Sequence, residues 1–359
     1  MNSSIVSIGL SNPGAAIPQS EIAGFMQLAH QLDEKEGRKL GYLYRMTGID
    51  SRHSALEDFE KKSLEDFTFF PKNSSLFPFP STKARMDVFQ KTAPQLAFTA
   101  AESCLTQADV SAKSLTHLIL VSCTGMVAPG VELQLMEKLG LDGSVERYCV
   151  YFMGCYAAFT GLKLADKILR AEPQARVLLV SVELCTLHFQ KEYSEDNLLA
   201  NSIFGDGAAA ALLMNSESGL RINSYLSQVL KDGEKDMAWG IGDFGFEMKL
   251  SKYVPALLDH GIRQLKDAFE EKFRLSQIRN FAIHPGGKQI LQKVQEAFDL
   301  SPEVNFHALE VLRKFGNMSS ATILFVLERM MKDPKIQGEI LSMGFGPGLT
   351  LETLHLLKQ

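Results

Sequence analysis

With 359 residues, 45% of them hydrophobic and 22% charged, the chain has globular composition and enough apolar material for a large buried core. A net charge of −5 with no dense Lys/Arg tract excludes the electrostatic footprint of a nucleic-acid binder. No apolar run reaches the roughly 18 residues of a membrane span, and the length predicts two domains or two halves sharing one core.

Met1–Leu10 lacks a basic leader stretch and contains Ile5-Val6-Ser7-Ile8, so it reads as a first strand rather than a signal peptide. Gln90–Leu105 reads as a helix with an alanine-rich face, Leu118–Val121 as a short strand, and Val131–Leu139 as a helix opening after Pro129-Gly130. Tyr148–Phe152 is a β-rich strand, Tyr156–Leu169 a helix, and Val177–Val182 and Ala208–Met214 are apolar strands. Continuous apolar strands joined by helices predict a sheet buried on both faces. The chain turns polar at Asn215–Gly219. The same order then resumes: a strand, a helix over Val254–Phe273, a strand at Phe281–His284, and helices over Lys288–Phe298 and Ala321–Met331. Two last strands are expected at Gly338–Phe345 and Leu349–Leu356. The pattern predicts an α/β protein of two similar halves, residues 1–218 and 219–359.

Cys104, Cys123, Cys149, Cys155 and Cys185 are odd in number and form no C-x-x-C pair, which argues against a disulfide framework or a zinc site and for reduced thiols in a cytoplasm. A lone cysteine is ordinarily a small buried hydrophobe. Cys155 has different surroundings: an apolar strand and Gly154 precede it and a helix follows. A helix start offers free N–H groups and a positive dipole end, which favour a thiolate and line an oxyanion hole. Cys185 also follows a strand and is the rival thiol.

Far downstream, His284 ends an apolar strand before Pro285-Gly286-Gly287, and Asn317 lies between Gly316 and Met318 ahead of a helix. Taken singly, the histidine reads as a strand-end residue and the asparagine as a turn or N-cap residue. Together with Cys155 they supply an acyl-carrying thiol and two donors for an enolate oxygen. A Cys-His-Asn hydrolase uses the same residue types, and spacing alone does not separate the two. Gly205-Asp206-Gly207 lacks the full G-x-G-x-x-G pattern and reads as a structural turn.

Longer motifs carry a resemblance. Val131–Tyr156 (VELQLMEKLGLDGSVERYCVYFMGCY), SIFGDGAAA, IHPGGKQIL, FGNMSSATILFVLE and GFGPGLTLE make the chain similar to type III polyketide synthases, the chalcone-synthase-like group, over nearly its whole length. Val182–Cys185 and Trp239–Pro255 look closer to bacterial members. The resemblance implies a thiolase-like fold with two αβ halves in a layered αβαβα core. Its implied reaction is iterative decarboxylative condensation of malonyl-CoA onto an acyl-CoA starter, and its implied assembly a homodimer. Cys155 would hold the acyl chain, while His284 and Asn317 would promote decarboxylation. Phe204 matches an aromatic gate. Met248, His188, Cys185, Thr124, Ser319 and Pro347 would line the substrate pocket, and Arg45 and Gly287 would contact CoA. CoA thioesters enter as substrates, and no metal or redox cofactor is implied.

Several positions depart from the plant pattern. Met248 replaces a second gate phenylalanine, Ala128 a methionine that reaches the partner subunit, and His188 a threonine. Around Arg45 the basic cluster is thin, since Tyr42 and Ile49 are not basic. Two other readings stand beside this one: a single-round β-ketoacyl-ACP synthase III-like enzyme using an acyl carrier protein, and a catalytically silent partner subunit. Activity with free malonyl-CoA separates the first, and acylation of the purified protein the second.

Overall fold

The computed structural model describes residues 3–230, 233, 235–251 and 253–358. The chain opens with β1 (Ser3–Ser11), β2 (Ile17–Pro18), α1 (Gln19–Ala29), α2 (Glu34–Met46) and β3 (Ser51–Arg52). It continues through α3 (Thr82–Ala108), β4 (His117–Ser122), α4 (Val131–Leu139), β5 (Glu146–Tyr151), α5 (Ala157–Ala171), β6 (Val177–Leu184), α6 (Glu195–Ile203) and β7 (Asp206–Asn215). After the polar turn come β8 (Leu220–Val229), a hairpin of β9 (Met237–Gly242) and β10 (Gly245–Leu250), α7 (Val254–Gln264), α8 (Lys266–Phe273) and β11 (Asn280–Ile283). The last elements are α9 (Lys288–Ala297), α10 (Phe306–Phe315), α11 (Thr322–Lys332), β12 (Gly338–Gly346) and β13 (Thr350–Lys358).

The strand order is β11-β12-β13-β8-β1-β7-β6-β4-β5. In the first half β4 and β6 are parallel, and β7 and then β1 follow antiparallel. In the second, β11 and β12 are parallel, and β13 and then β8 follow antiparallel. The two similar αβ halves meet along β1 and β8, paired at Ser4–Arg221 and Ile5–Leu220.

Side chains alternate across each strand, which explains the layers. Leu118 and Leu120 of β4 pack on one side with α1, α3 and α4 residues. Ile119 and Val121 point the other way, into a core shared by α5, α11 and the second half. Both faces of β4 and β6 are therefore buried, and the strands read as continuous apolar runs. Helices α5 and α11 form the central layer, and each is entered through one of the candidate site loops.

Three expectations need correction. The helix expected at Gln90–Leu105 is longer, because the Ser81 hydroxyl caps it by accepting from the Ala84 N–H at 3.3 Å. The helix expected over Val254–Phe273 breaks at Leu265, whose N–H is shared between the carbonyls of Gly261 and Ile262 at 3.2 and 3.1 Å. Residues 237–250, given no strands above, form a hairpin against the candidate site.

Candidate active site

Beyond β5 the backbone turns sharply through Phe152 (φ 62°) and Gly154 (φ 81°) to present Cys155 just before α5. Gly154 is required there twice over. Its φ is left-handed, and a Cβ on it would sit 2.1 Å from Cδ of Pro347. His284 follows the last residue of β11, and its N–H donates to Met343 O at 2.8 Å. Asn317 lies between α10 and α11. Its N–H donates to Ile203 O at 2.8 Å and its carbonyl accepts from Gly205 N–H at 2.9 Å, so this second-half residue is tied to the loop carrying Phe204.

Cys155, His284 and Asn317 are all buried and line one cavity of about 220 Å³. Oδ1 of Asn317 accepts from Ser319 N–H at 2.9 Å and from the Thr322 hydroxyl at 3.3 Å. That leaves its amide nitrogen directed at Gly286 O (3.4 Å) and at Sγ of Cys155 (3.9 Å). Neither ring nitrogen of His284 has a hydrogen-bond partner among the described residues. Burial lowers His284 to about 3, so its imidazole is neutral. Burial also pushes Cys155 up to about 11, against the helix-start effect expected from sequence, with hydrogen bonds from Ser319 and Asn317 pulling it back down.

Thr124, Cys185, His188, Phe204, Met248, Ser319, Pro347 and Gly287 also line this cavity. Arg45 is exposed in the last turn of α2 and does not line it, whereas its neighbours Met46 and Thr47 do. Lys288 lines it too. The resemblance named Arg45 and Gly287 as CoA contacts but not Lys288, although that lysine directly follows the His-Pro-Gly-Gly run.

The wall beyond Cys155 is aromatic. Phe246 N–H donates to Nδ1 of His188 at 2.9 Å, so Nε2–H must be the donor to Thr124 O at 2.7 Å. The imidazole stacks on Phe246 at 4.1 Å, and Trp239 stands edge-on to both rings. Nε1–H of Trp239 donates to Cys123 O at 2.8 Å, which fastens the hairpin over the cavity. Beneath lies Glu183, fully buried, accepting from Cys123 N–H at 2.9 Å, the Thr124 hydroxyl at 2.7 Å and the Ser320 hydroxyl. Burial raises its pKa and these three donors lower it again. Glu183 thus ties the Thr124 loop of one half to the Asn317–Ser320 loop of the other. No helix among the described residues is long and apolar enough to cross a membrane.

Comparison with known proteins covers the whole chain. Residues 2–217 match the N-terminal domain of chalcone and stilbene synthases, and residues 221–358 match their C-terminal domain. The chain is 29% identical over 334 residues to the alpha-pyrone synthesis polyketide synthase-like protein Pks18 of Mycobacterium tuberculosis, covering 89% of this chain and 82% of that one. It is 28% identical over 368 residues to probable polyketide synthase 1 of Dictyostelium discoideum; this match takes in 99% of the chain but spans only 11% of the relative's length. The solved structure of PKS-I from the brown alga Ectocarpus siliculosus superposes with a TM-score of 0.92 at 27% identity, covering 100% of this chain and 98% of the other.

Proposed function

The chain belongs to the chalcone and stilbene synthases and is a type III polyketide synthase, an acyltransferase that condenses malonyl-CoA iteratively onto an acyl-CoA starter, and on that premise we propose that Cys155 is its nucleophile and His284 and Asn317 its enolate holders. The observation that carries the assignment is the Asn317 amide, fixed at its oxygen and with its nitrogen facing Sγ of Cys155 at 3.9 Å as well as Gly286 O at 3.4 Å. In the loading step the thiol proton passes to the neutral His284 imidazole, and the thiolate attacks the acyl-CoA carbonyl. CoA leaves as its thiolate and takes that proton back. Malonyl-CoA then loses CO₂, and the freed electron pair moves onto its thioester oxygen, which accepts hydrogen bonds from His284 and Asn317. The enolate carbon attacks the Cys155 thioester, forming the C–C bond and breaking the C–S bond. The extended chain, now on CoA, returns to Cys155 for the next round.

Phe204 and Met248 flank the acyl path in this reading, and Lys288 joins Arg45 and Gly287 at the CoA end. A homodimer accords with β5, an edge strand paired only with β4 among the described residues. Light scattering would then give twice 39.8 kDa. Five unpaired cysteines accord with a reducing, cytoplasmic location. The decisive experiment is intact-mass labelling with an acyl-CoA. Wild type is expected to gain one acyl group and Cys155→Ala none, and a full adduct on the variant removes the nucleophile assignment.

A further inference from the structure

At the opposite end of the strands from Cys155, three side chains from separate elements converge. His117 opens β4 and pairs in register with Glu146, which opens β5, while Glu172 caps the far end of α5. Nε2 of His117 lies 3.8 Å from a carboxylate oxygen of Glu146 and 3.9 Å from one of Glu172, and the three ligand atoms fall within 4.8 Å of one another. The histidine is only 2% exposed, whereas the glutamate side chains are 57% and 59% exposed.

The other ring nitrogen of His117 faces a hydroxyl. The Thr116 hydroxyl accepts from Arg176 N–H at 2.9 Å and lies 3.2 Å from Arg176 O. Nδ1 of His117 lies 2.8 Å from that hydroxyl, whose second lone pair can accept its proton. With Nδ1 as donor, Nε2 points a lone pair between the two carboxylates, and among the described residues it makes no hydrogen bond. An imidazole lone pair facing two anions is repulsive unless a cation lies between them. Three ligand atoms bound at about 2.1 Å to one ion sit roughly 3–3.5 Å apart, so the two exposed glutamate side chains have to draw in from their present spacing within 4.8 Å. The hydroxyl behind Nδ1 is the outer partner that metal-ligating histidines use to fix their tautomer.

We propose that His117, Glu146 and Glu172 bind a divalent transition-metal ion of the zinc class, one imidazole and two carboxylates with water completing the shell. The imidazole disfavours calcium and magnesium. Lying at the far ends of β4, β5 and α5, the ion would clamp the base of the helix whose other end presents Cys155, and would take no part in the reaction.

The test uses full-length protein, freed of metal by a chelator and with its thiols blocked by iodoacetamide, titrated with zinc chloride by calorimetry and by thermal melting. One equivalent per chain with a raised Tm is expected, and Co²⁺ should give a visible spectrum of nitrogen and oxygen ligands without thiolate bands. Glu146→Gln/Glu172→Gln changes only exposed side chains, so the fold survives, and it should weaken zinc binding by at least about tenfold. Unchanged affinity in that double variant, or only millimolar binding by wild type, overturns the proposal.

Discussion

Burial holds the two reacting groups of the cavity neutral: it raises Cys155 to about 11 and lowers His284 to about 3. On the proposed transfer to His284, the pair carries one proton between those limits, and its thiolate–imidazolium form is a tautomer whose share does not change with pH. Alkylation of Cys155 by iodoacetamide is therefore expected to be nearly flat from pH 6.5 to 8.5 in wild type. In His284→Ala, the thiolate forms only by loss to solvent, and the rate should climb by about tenfold per pH unit. A wild-type profile as steep as the variant's would show that His284 does not take the proton. Asn317 separates a turn role from a chemical one within a single side chain, because its oxygen holds Ser319 and Thr322 while its nitrogen faces the sulfur. Asn317→Asp keeps the acceptor and loses the donor. In its ionised form it is expected to lose about two to three decades of malonyl-CoA decarboxylation, measured as CO₂ release, whereas a lowered Tm with near-normal CO₂ release would point to the turn role alone. From sequence, both roles of Asn317 were in view as rivals; that one amide is placed for both depends on contacts with residues 319 and 322 and with the other half.

Among the elements, the β9–β10 hairpin was the least legible. Gly240, Gly242 and Gly245 interrupt its apolar pattern and disguise it as loop, and its fastening is tertiary: Trp239 to Cys123 O, and Phe246 to His188. Strands β4 and β6 were legible because both their faces are buried, and α4 because glycines bracket it at both ends. Arg45 rests on a motif match alone, which carries no information on whether a helix turns that residue toward the cavity or toward water; it lies exposed beside the cavity-lining Met46 and Thr47. Met248 pairs with Trp239 across the hairpin, so the flexible thioether and the rigid indole are neighbours on the cavity wall. Met248→Phe replaces an adaptable side chain by a stiff one. Loading by a short acyl-CoA should stay intact while kcat/KM for a long one falls, and an unchanged ratio between the two starters would remove Met248 from the acyl path.

Across the whole molecule, buried neutral histidines set the acid limit of stability. His188 and His284 are both held at about 3 by burial, below the value of about 6.5 for an unfolded chain. Above pH 6.5 neither state binds these protons. As pH falls from 6.5 toward 3 the unfolded chain takes them up and the folded one does not, so stability is lost over that window. Asp206, raised by burial to about 6, and Glu183, also raised by burial, work the other way, gaining their protons first in the folded state. Burial lowers His30, His53, His307 and His355 as well, so the histidines outnumber these two carboxyls and the Tm is expected to fall between pH 6.5 and 5. His284→Gln should flatten that slope; a variant with the wild-type slope would locate the acid sensitivity elsewhere. On the proposed assignment the two halves divide the chemistry as well as the fold, with Cys155 in one and His284 and Asn317 in the other. During synthesis the first half then leaves the ribosome with its thiol but without the groups proposed to hold an enolate. A chain stopped short of residue 284 is expected to accept an acyl group at most and to release no CO₂ from malonyl-CoA, so catalytic competence would wait on the second half.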